Sequence, residues 1–152
     1  MARARAPVFF TELCVPDTMD GRFDLVALHA WLALDRLASE PEPALSQALI
    51  DEIFVGFDEA LRQLGTGDIG MNRRLKTMAE AFYGRLQAYR AATDLEELAT
   101  AIGRNLYRGI GADRAEALVM ATYAFAARSH LAKANVAEGR LDFGPLPDRR
   151  VR

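Results

Sequence analysis

Apolar residues recur at three- and four-residue steps through most of the chain, the period of helices that bury one face. The densest run lies at 22–39, where Phe23, Leu25, Val26, Leu28, Trp31, Leu32, Leu34 and Leu37 cover most of a helical circumference. Each such side chain adds roughly 1.5–3 kcal/mol when fully buried, so this segment is predicted to be a helix at the centre of the core. Glu40-Pro41-Glu42-Pro43 breaks it, with Pro43 suited to the first turn of the next helix. That helix, at 44–64, carries Leu45, Leu49, Ile53, Phe57, Leu61 and Leu64 as a stripe, with Asp51, Glu52, Asp58, Glu59 and Arg62 largely off it. A third stripe follows in Met71, Leu75, Met78, Phe82, Leu86 and Tyr89. Thr93 or Asp94 caps a shorter helix that buries Leu95, Leu98, Ile102, Leu106 and Tyr107 and ends at Gly109 and Gly111. A last helix at 113–136 is nearly all apolar in its middle and is expected to pack on the first. The fold class is therefore all-α: one helical domain over 1–152, an antiparallel bundle of about five principal helices with 22–39 and 113–136 innermost. Residues 1–21 are predicted irregular, with Val8 to Leu13 as a docked turn or a helix end. Residues 139–152 form an irregular tail in which Leu141, Phe143 and Leu146 are placed to dock.

Between the second and third stripes, Gly65-Thr66-Gly67-Asp68-Ile69-Gly70 matches Gly-x-Gly-x-x-Gly. A dinucleotide site requires a strand before that pattern, because the glycines bring helix-start amides onto a pyrophosphate. A helical stripe precedes it here, so the pattern reads as a joint between helices. Gly65 stops the incoming helix in a left-handed turn and Asp68 is expected to cap the outgoing one. On that outgoing helix Arg73, Lys76 and Glu80 point away from the apolar stripe, Arg74 and Arg85 share one edge, and Tyr83 lies off the stripe on the other side. Residues 98–110 resemble half of a DNA-binding helix-turn-helix, but the helix after them lacks base-reading side chains, which argues against DNA.

Composition changes this picture in three places. Cys14 is the only cysteine, which excludes an intrachain disulfide or a multi-cysteine metal site, and it reads as a small buried hydrophobe. The net charge of −2 conceals an asymmetry: 5 basic and 12 acidic side chains in 1–70, and 14 basic against 9 acidic in 71–152. Those halves attract if they pack together, and the basic half alternatively suits a membrane surface or RNA. The apolar runs fall short of the roughly 20 residues that span a bilayer, and Met1 to Pro7 carries positive charge without a hydrophobic region behind it. The cytosol is the expected location, with peripheral contact at the cytoplasmic face of the inner membrane. No catalytic set emerges. His29 sits on an apolar helix and reads as a hydrogen-bonded core residue, His130 as a helix-end residue, and no serine elbow, His-Glu-x-x-His, Glu-x-x-His or Cys-x-x-Cys pattern occurs. An interaction protein is expected rather than an enzyme.

Several blocks resemble the ubiquinol-cytochrome c reductase assembly chaperone family, whose mitochondrial members are cytochrome b chaperones. They are Val15-Pro16-Asp17-Thr18, Gly21-Arg22-Phe23-Asp24-Leu25, Leu28-His29, Gly67-Asp68-Ile69-Gly70 with Arg74-Leu75-Lys76, and Met78-Ala79-Glu80-Ala81-Phe82-Tyr83-Gly84-Arg85. A weaker match lies in Arg104-Asn105-Leu106-Tyr107-Arg108, and Cys14 stands where the pattern has glycine. The resemblance implies an all-helical domain without a cofactor that binds newly made cytochrome b before it joins the bc1 complex. It also implies a small partner protein and proximity to the ribosome, as in mitochondrial relatives. The chain lacks their targeting segment and much of their preceding helical region, so it resembles a bacterial member or a shortened version. A chaperone of a membrane protein needs apolar or aromatic surface rimmed by charge. The candidates are Phe54, Tyr83, Tyr89 and Tyr107, and the expected client-binding set is Arg73, Arg74, Lys76, Tyr83 and Arg85. The alternative is a helical membrane-surface or RNA-binding module without catalytic activity.

Overall fold

The segment that is apolar all round becomes the helix on which the others pack. The computed structural model describes residues 2–65, 67–108 and 114–148, apart from the side chains of Asp68, Ile69 and Arg114. Among these residues lie six α-helices: α1 (Val8–Thr11), α2 (Met19–Leu37), α3 (Ala44–Gln63), α4 (Asp68–Ala91), α5 (Leu95–Asn105) and α6 (Arg114–Leu131). Single 3-10 turns occur at Arg3–Arg5 and Val136–Glu138, and there is no strand among the described residues. The five long helices form the expected all-α bundle. The N-terminal turn, α3, α4 and α6 all contact α2, whose Leu25, Ala27, Leu28 and Trp31 are buried.

Helix α2 begins three residues before the boundary its apolar pattern suggests. The hydroxyl of Thr18 accepts the Gly21 amide at 3.1 Å, which satisfies one of the free N–H groups at the helix start. Gly21 is accordingly helical rather than part of a loop. It is glycine because the chain crosses itself there: a Cβ would lie 1.9 Å from the Pro16 carbonyl oxygen.

The expectation that α6 is as central as α2 is corrected. Its buried side is built from Ala117, Ala121, Ala124 and Ala127 with Met120 and Tyr123, while Thr122 and Ala126 are exposed and Phe125 is only partly buried. Small side chains made the segment look apolar all round, yet they serve close packing on one side. At Gly103 of α5 an added Cβ would meet that of Ala117 at 3.7 Å, an ordinary van der Waals contact. Helix α6 also stops at Leu131, short of 136. The Arg36 guanidinium donates to the Leu131 carbonyl at 2.9 Å, which also accepts the Ala134 amide at 3.0 Å, and to the Ala134 carbonyl in the turn beyond at 3.1 Å, holding the chain where the helix ends. The expected start at Asp113 and the stops at Gly109 and Gly111 lie outside the described residues.

The remaining boundaries follow local chemistry. Asp94 caps α5 by accepting the Glu97 amide at 2.8 Å, and the Glu97 carboxylate accepts in return from the Thr93 amide at 2.8 Å. Pro43 stands before α3 as its N-cap, not inside its first turn. Gly65 is left-handed, with φ +75°, as the joint requires. Gly67 occupies the N-cap of α4, so Asp68 enters as the first helical residue instead of the cap, and its side chain lies outside the described residues.

Residues 2–21 are more ordered than the irregular segment expected there. One turn of helix, α1, sinks Phe9, and Leu13 just after it is also fully buried. Cys14 is exposed, contrary to its reading as a buried hydrophobe. Its backbone is left-handed at φ +54°, turning the chain between buried Leu13 and Val15 and directing its own side chain outward. That conformation gives a physical reason for a glycine at this position. In the tail Leu141 and Phe143 pack against the core while Leu146 is exposed. Arg3 ties the tail to the N-terminal turn by donating to the Gly144 carbonyl at 2.8 Å and that of Pro145 at 2.5 Å.

Candidate functional site

Helix α4 divides its surface between core, groove and solvent. At 100° per residue Arg73, Lys76, Tyr83, Gln87 and Arg90 share one outward arc, whereas Arg74 and Arg85 fall on the opposite edge of the buried stripe. Arg73, Arg74 and Lys76 are exposed and Tyr83 is half exposed. Tyr83 is not an isolated aromatic. Its ring stacks on Phe54 at 6.4 Å and 22°, Phe54 meets Phe57 at 5.5 Å, and Phe57 meets Phe23 at 5.1 Å, so an aromatic row runs from α2 to the surface. Phe54 is partly buried in that row. Tyr89 and Tyr107 are buried and are therefore removed from the candidate surface aromatics. The Tyr107 hydroxyl donates to the Leu13 carbonyl at 2.8 Å, which gives its polar tip an interior partner.

Beside Tyr83 the end of α2, the first half of α3 and the last turns of α4 border a groove of about 720 Å³. Leu34 of α2 lies at its base, with Ile50 of α3 and Leu86 of α4 as apolar walls and Tyr83 and Arg90 at the rim. A second groove, of about 460 Å³, separates α2 and α3 from the tail and includes Ile53, Phe143 and the edge of His29.

Arg85 turns inward. Its Nε donates to Asp24 Oδ1 at 2.6 Å and its Nη1 to the Ala81 carbonyl at 3.0 Å, with the guanidinium 5.0 Å from the centre of the Phe23 ring. Asp24 has no exposed surface, and its second oxygen accepts from Arg108 Nε at 3.1 Å. Arg108 reaches on to Asp20 at 2.9 Å. Burial pushes the Asp24 carboxyl up from its ordinary range, while the charges and hydrogen bonds of Arg85 and Arg108 pull the other way. Three of the sequence blocks singled out above, around Asp24, Arg85 and Arg108, thus meet at one buried carboxylate. Sequence reasoning passed over Asp24 because charged residues belong on helix faces by default. The available signal was a lone acid inside an apolar run.

His29 is a satisfied core residue. Its Nδ1 donates to the Leu25 carbonyl at 2.8 Å, since a carbonyl can only accept, and Nε2 accepts from the Tyr123 hydroxyl at 2.9 Å. That hydroxyl accepts in turn from Arg3 Nε at 3.0 Å. Burial drives the imidazole pKa down to about 4, so the ring is neutral at neutral pH. His130 is exposed at the end of α6, where its ring lies under Gly144; a Cβ there would come within 2.3 Å of it. Among the described residues no group of three or more His, Cys, Asp or Glu is placed to hold a metal ion, and no helix is long and apolar enough to cross a membrane.

Residues 11–140 match the family described as ubiquinol-cytochrome C chaperone. Ubiquinol-cytochrome-c reductase complex assembly factor 1 of Xenopus laevis is 24% identical over 102 residues, which are 64% of this chain and 51% of that protein. The chain thus spans about half the length of that relative. A crystal structure of the Cbp3 homolog from Brucella abortus superposes with a TM-score of 0.83 at 35% identity, covering 95% of this chain and 83% of that one.

Proposed function

The chain belongs to the ubiquinol-cytochrome c chaperone family, and from that premise we propose that it binds newly made cytochrome b and promotes assembly of the bc1 complex. The observation that carries this reading is the family match over 11–140, a span that includes all five long helices from α2 to α6. The relative from Xenopus laevis bears the name of an assembly factor for the same respiratory complex, which is consistent with it. The role is binding rather than catalysis, exercised at the cytoplasmic face of the membrane that receives the client.

The client-facing surface we assign is the exposed side of α4 with Arg73, Lys76 and Tyr83; Arg74, on the opposite edge of the buried stripe, lies outside it. A half-exposed tyrosine offers an apolar body with a polar tip, and the cations around it suit the juxtamembrane end of a membrane protein segment. Arg85 supports this surface from beneath by fixing α4 to Asp24.

The test is deletion of the gene in its native host, with cytochrome b, bc1 activity and the other membrane complexes measured separately. The expected result is selective loss of cytochrome b and bc1 activity. Wild type restores both, whereas a folded Arg73→Glu/Lys76→Glu variant does not. Normal cytochrome b in the deletion strain would overturn the function; full restoration by the double variant would overturn the surface.

A further inference from the structure

The groove between α3 and α4 combines a partly exposed apolar lining, Ile50 and the Tyr83 ring over buried Leu34 and Leu86, with a single sign of charge. On helix α3 Ile53, Phe57 and Leu61 are buried, whereas Ile50, which borders the groove, is only partly buried. The aliphatic side chains bordering this opening come from three helices: Leu34, Ile50 and Leu86. The other lining groups are neutral except Arg90, which is exposed, and no acidic side chain lines the groove. A helix laid in an apolar groove is read by side chains at i, i+3, i+4 and i+7, and a rim charge sets its direction.

We infer that this groove receives an amphipathic helical segment of the client, apolar face inward, with a carboxylate set against Arg90. The identification of the occupant as a client segment rests on the proposed chaperone function. Its chemistry rests on the groove alone. Tyr83 then flanks the bound helix at the rim, which links the groove to the exposed face of α4.

Two fluorescent helical peptides test this with the full chain. Both carry leucine at i, i+3, i+4 and i+7 on an otherwise neutral polar background, and they differ in ending in Glu or in Lys. The Glu peptide is expected to bind about tenfold or more tightly than the Lys peptide, and Arg90→Glu to reverse the order without changing the helical circular dichroism. Arg90→Gln is expected to abolish the preference while retaining apolar binding. Ala38→Trp, which places bulk in the groove, is expected to weaken both peptides. Equal binding of the two peptides, absence of binding by either, or a preference that survives Arg90→Glu would overturn the inference. So would Arg90-dependent binding to phosphatidylglycerol vesicles that exceeds binding to either peptide, since the groove would then serve a lipid. The peptides contain no cytochrome b sequence, so failure here leaves the deletion phenotype standing, and a deletion without phenotype leaves the groove chemistry standing.

Discussion

His29 shows how far a single residue can be read from its neighbours. Its place among apolar residues on a helix indicated a core histidine, and two hydrogen bonds confirm it. Its titration follows from the same burial. The imidazole has an ordinary value of 6.5 and a folded value of about 4, so in the window between them the unfolded chain takes up a proton that the folded chain does not. Stability is therefore full above about 6.5, declines as the pH falls to about 4, and loses nothing further from this group below that; the shift corresponds to roughly 3 kcal/mol. Urea unfolding at pH 7 and pH 4.5 should show this decline in the wild type and a smaller one in His29→Gln. Equal declines would assign the pH dependence to other groups. Cys14 and Asp24 were less legible for opposite reasons. Residue type favours burial for the first and exposure for the second, whereas a left-handed backbone and two arginines far along the chain decide their actual places. Neither a dihedral angle nor a partner 61 or 84 positions away is written in a local pattern.

Helices were legible wherever their apolar period was strong, and their ends where a capping side chain lay close in sequence, as with Asp94. Ends set from elsewhere in the fold were not. The stop of α6 depends on Arg36 of α2, and the early start of α2 depends on a glycine that fits beneath Pro16. The last point separates two glycines that sit alike in helices. At Gly84 in α4 nothing lies within 4 Å of an added Cβ, so Gly84→Ala should stabilise the protein by up to about 1 kcal/mol through helix propensity. At Gly21 the same change drives a methyl group into a backbone carbonyl, and the expected loss is about 1–3 kcal/mol despite the gain in propensity. Thermal unfolding of the two variants should move their midpoints in opposite directions; movement in the same direction would refute the account of Gly21. Exposure of Tyr83 was visible on the helical wheel of α4, since it required only that helix. The groove beside it was not visible, because its lining comes from α2, α3 and α4 together, a relation between elements.

For the whole molecule, the acidic first half and the basic second half were expected to attract if they packed together, and their ion pairs cross the bundle accordingly. Asp24 meets Arg85 and Arg108, Asp20 meets Arg108, and Asp35 meets Arg128 at 2.9 Å. Two of these, Asp20–Arg108 and Asp35–Arg128, are partly exposed, where an ion pair adds only about 0–1 kcal/mol, so fold stability comes chiefly from apolar burial around α2. Asp24 differs because removing one partner of a buried pair leaves the other uncompensated, at a cost of roughly 3–5 kcal/mol. Its links to Arg85 and Arg108 also join residues 61 and 84 positions apart, so they can close only after helices formed from local contacts have docked. Time, rather than equilibrium, is where that arrangement should be felt. Asp24→Ala is expected to leave the refolding rate nearly unchanged and to raise the unfolding rate on the order of a hundredfold or more, as stopped-flow chevrons would measure. A slowed folding limb would instead place the contact in the nucleus. With the acid in place, the chain reaches its fold without waiting for this contact and is then slow to leave it.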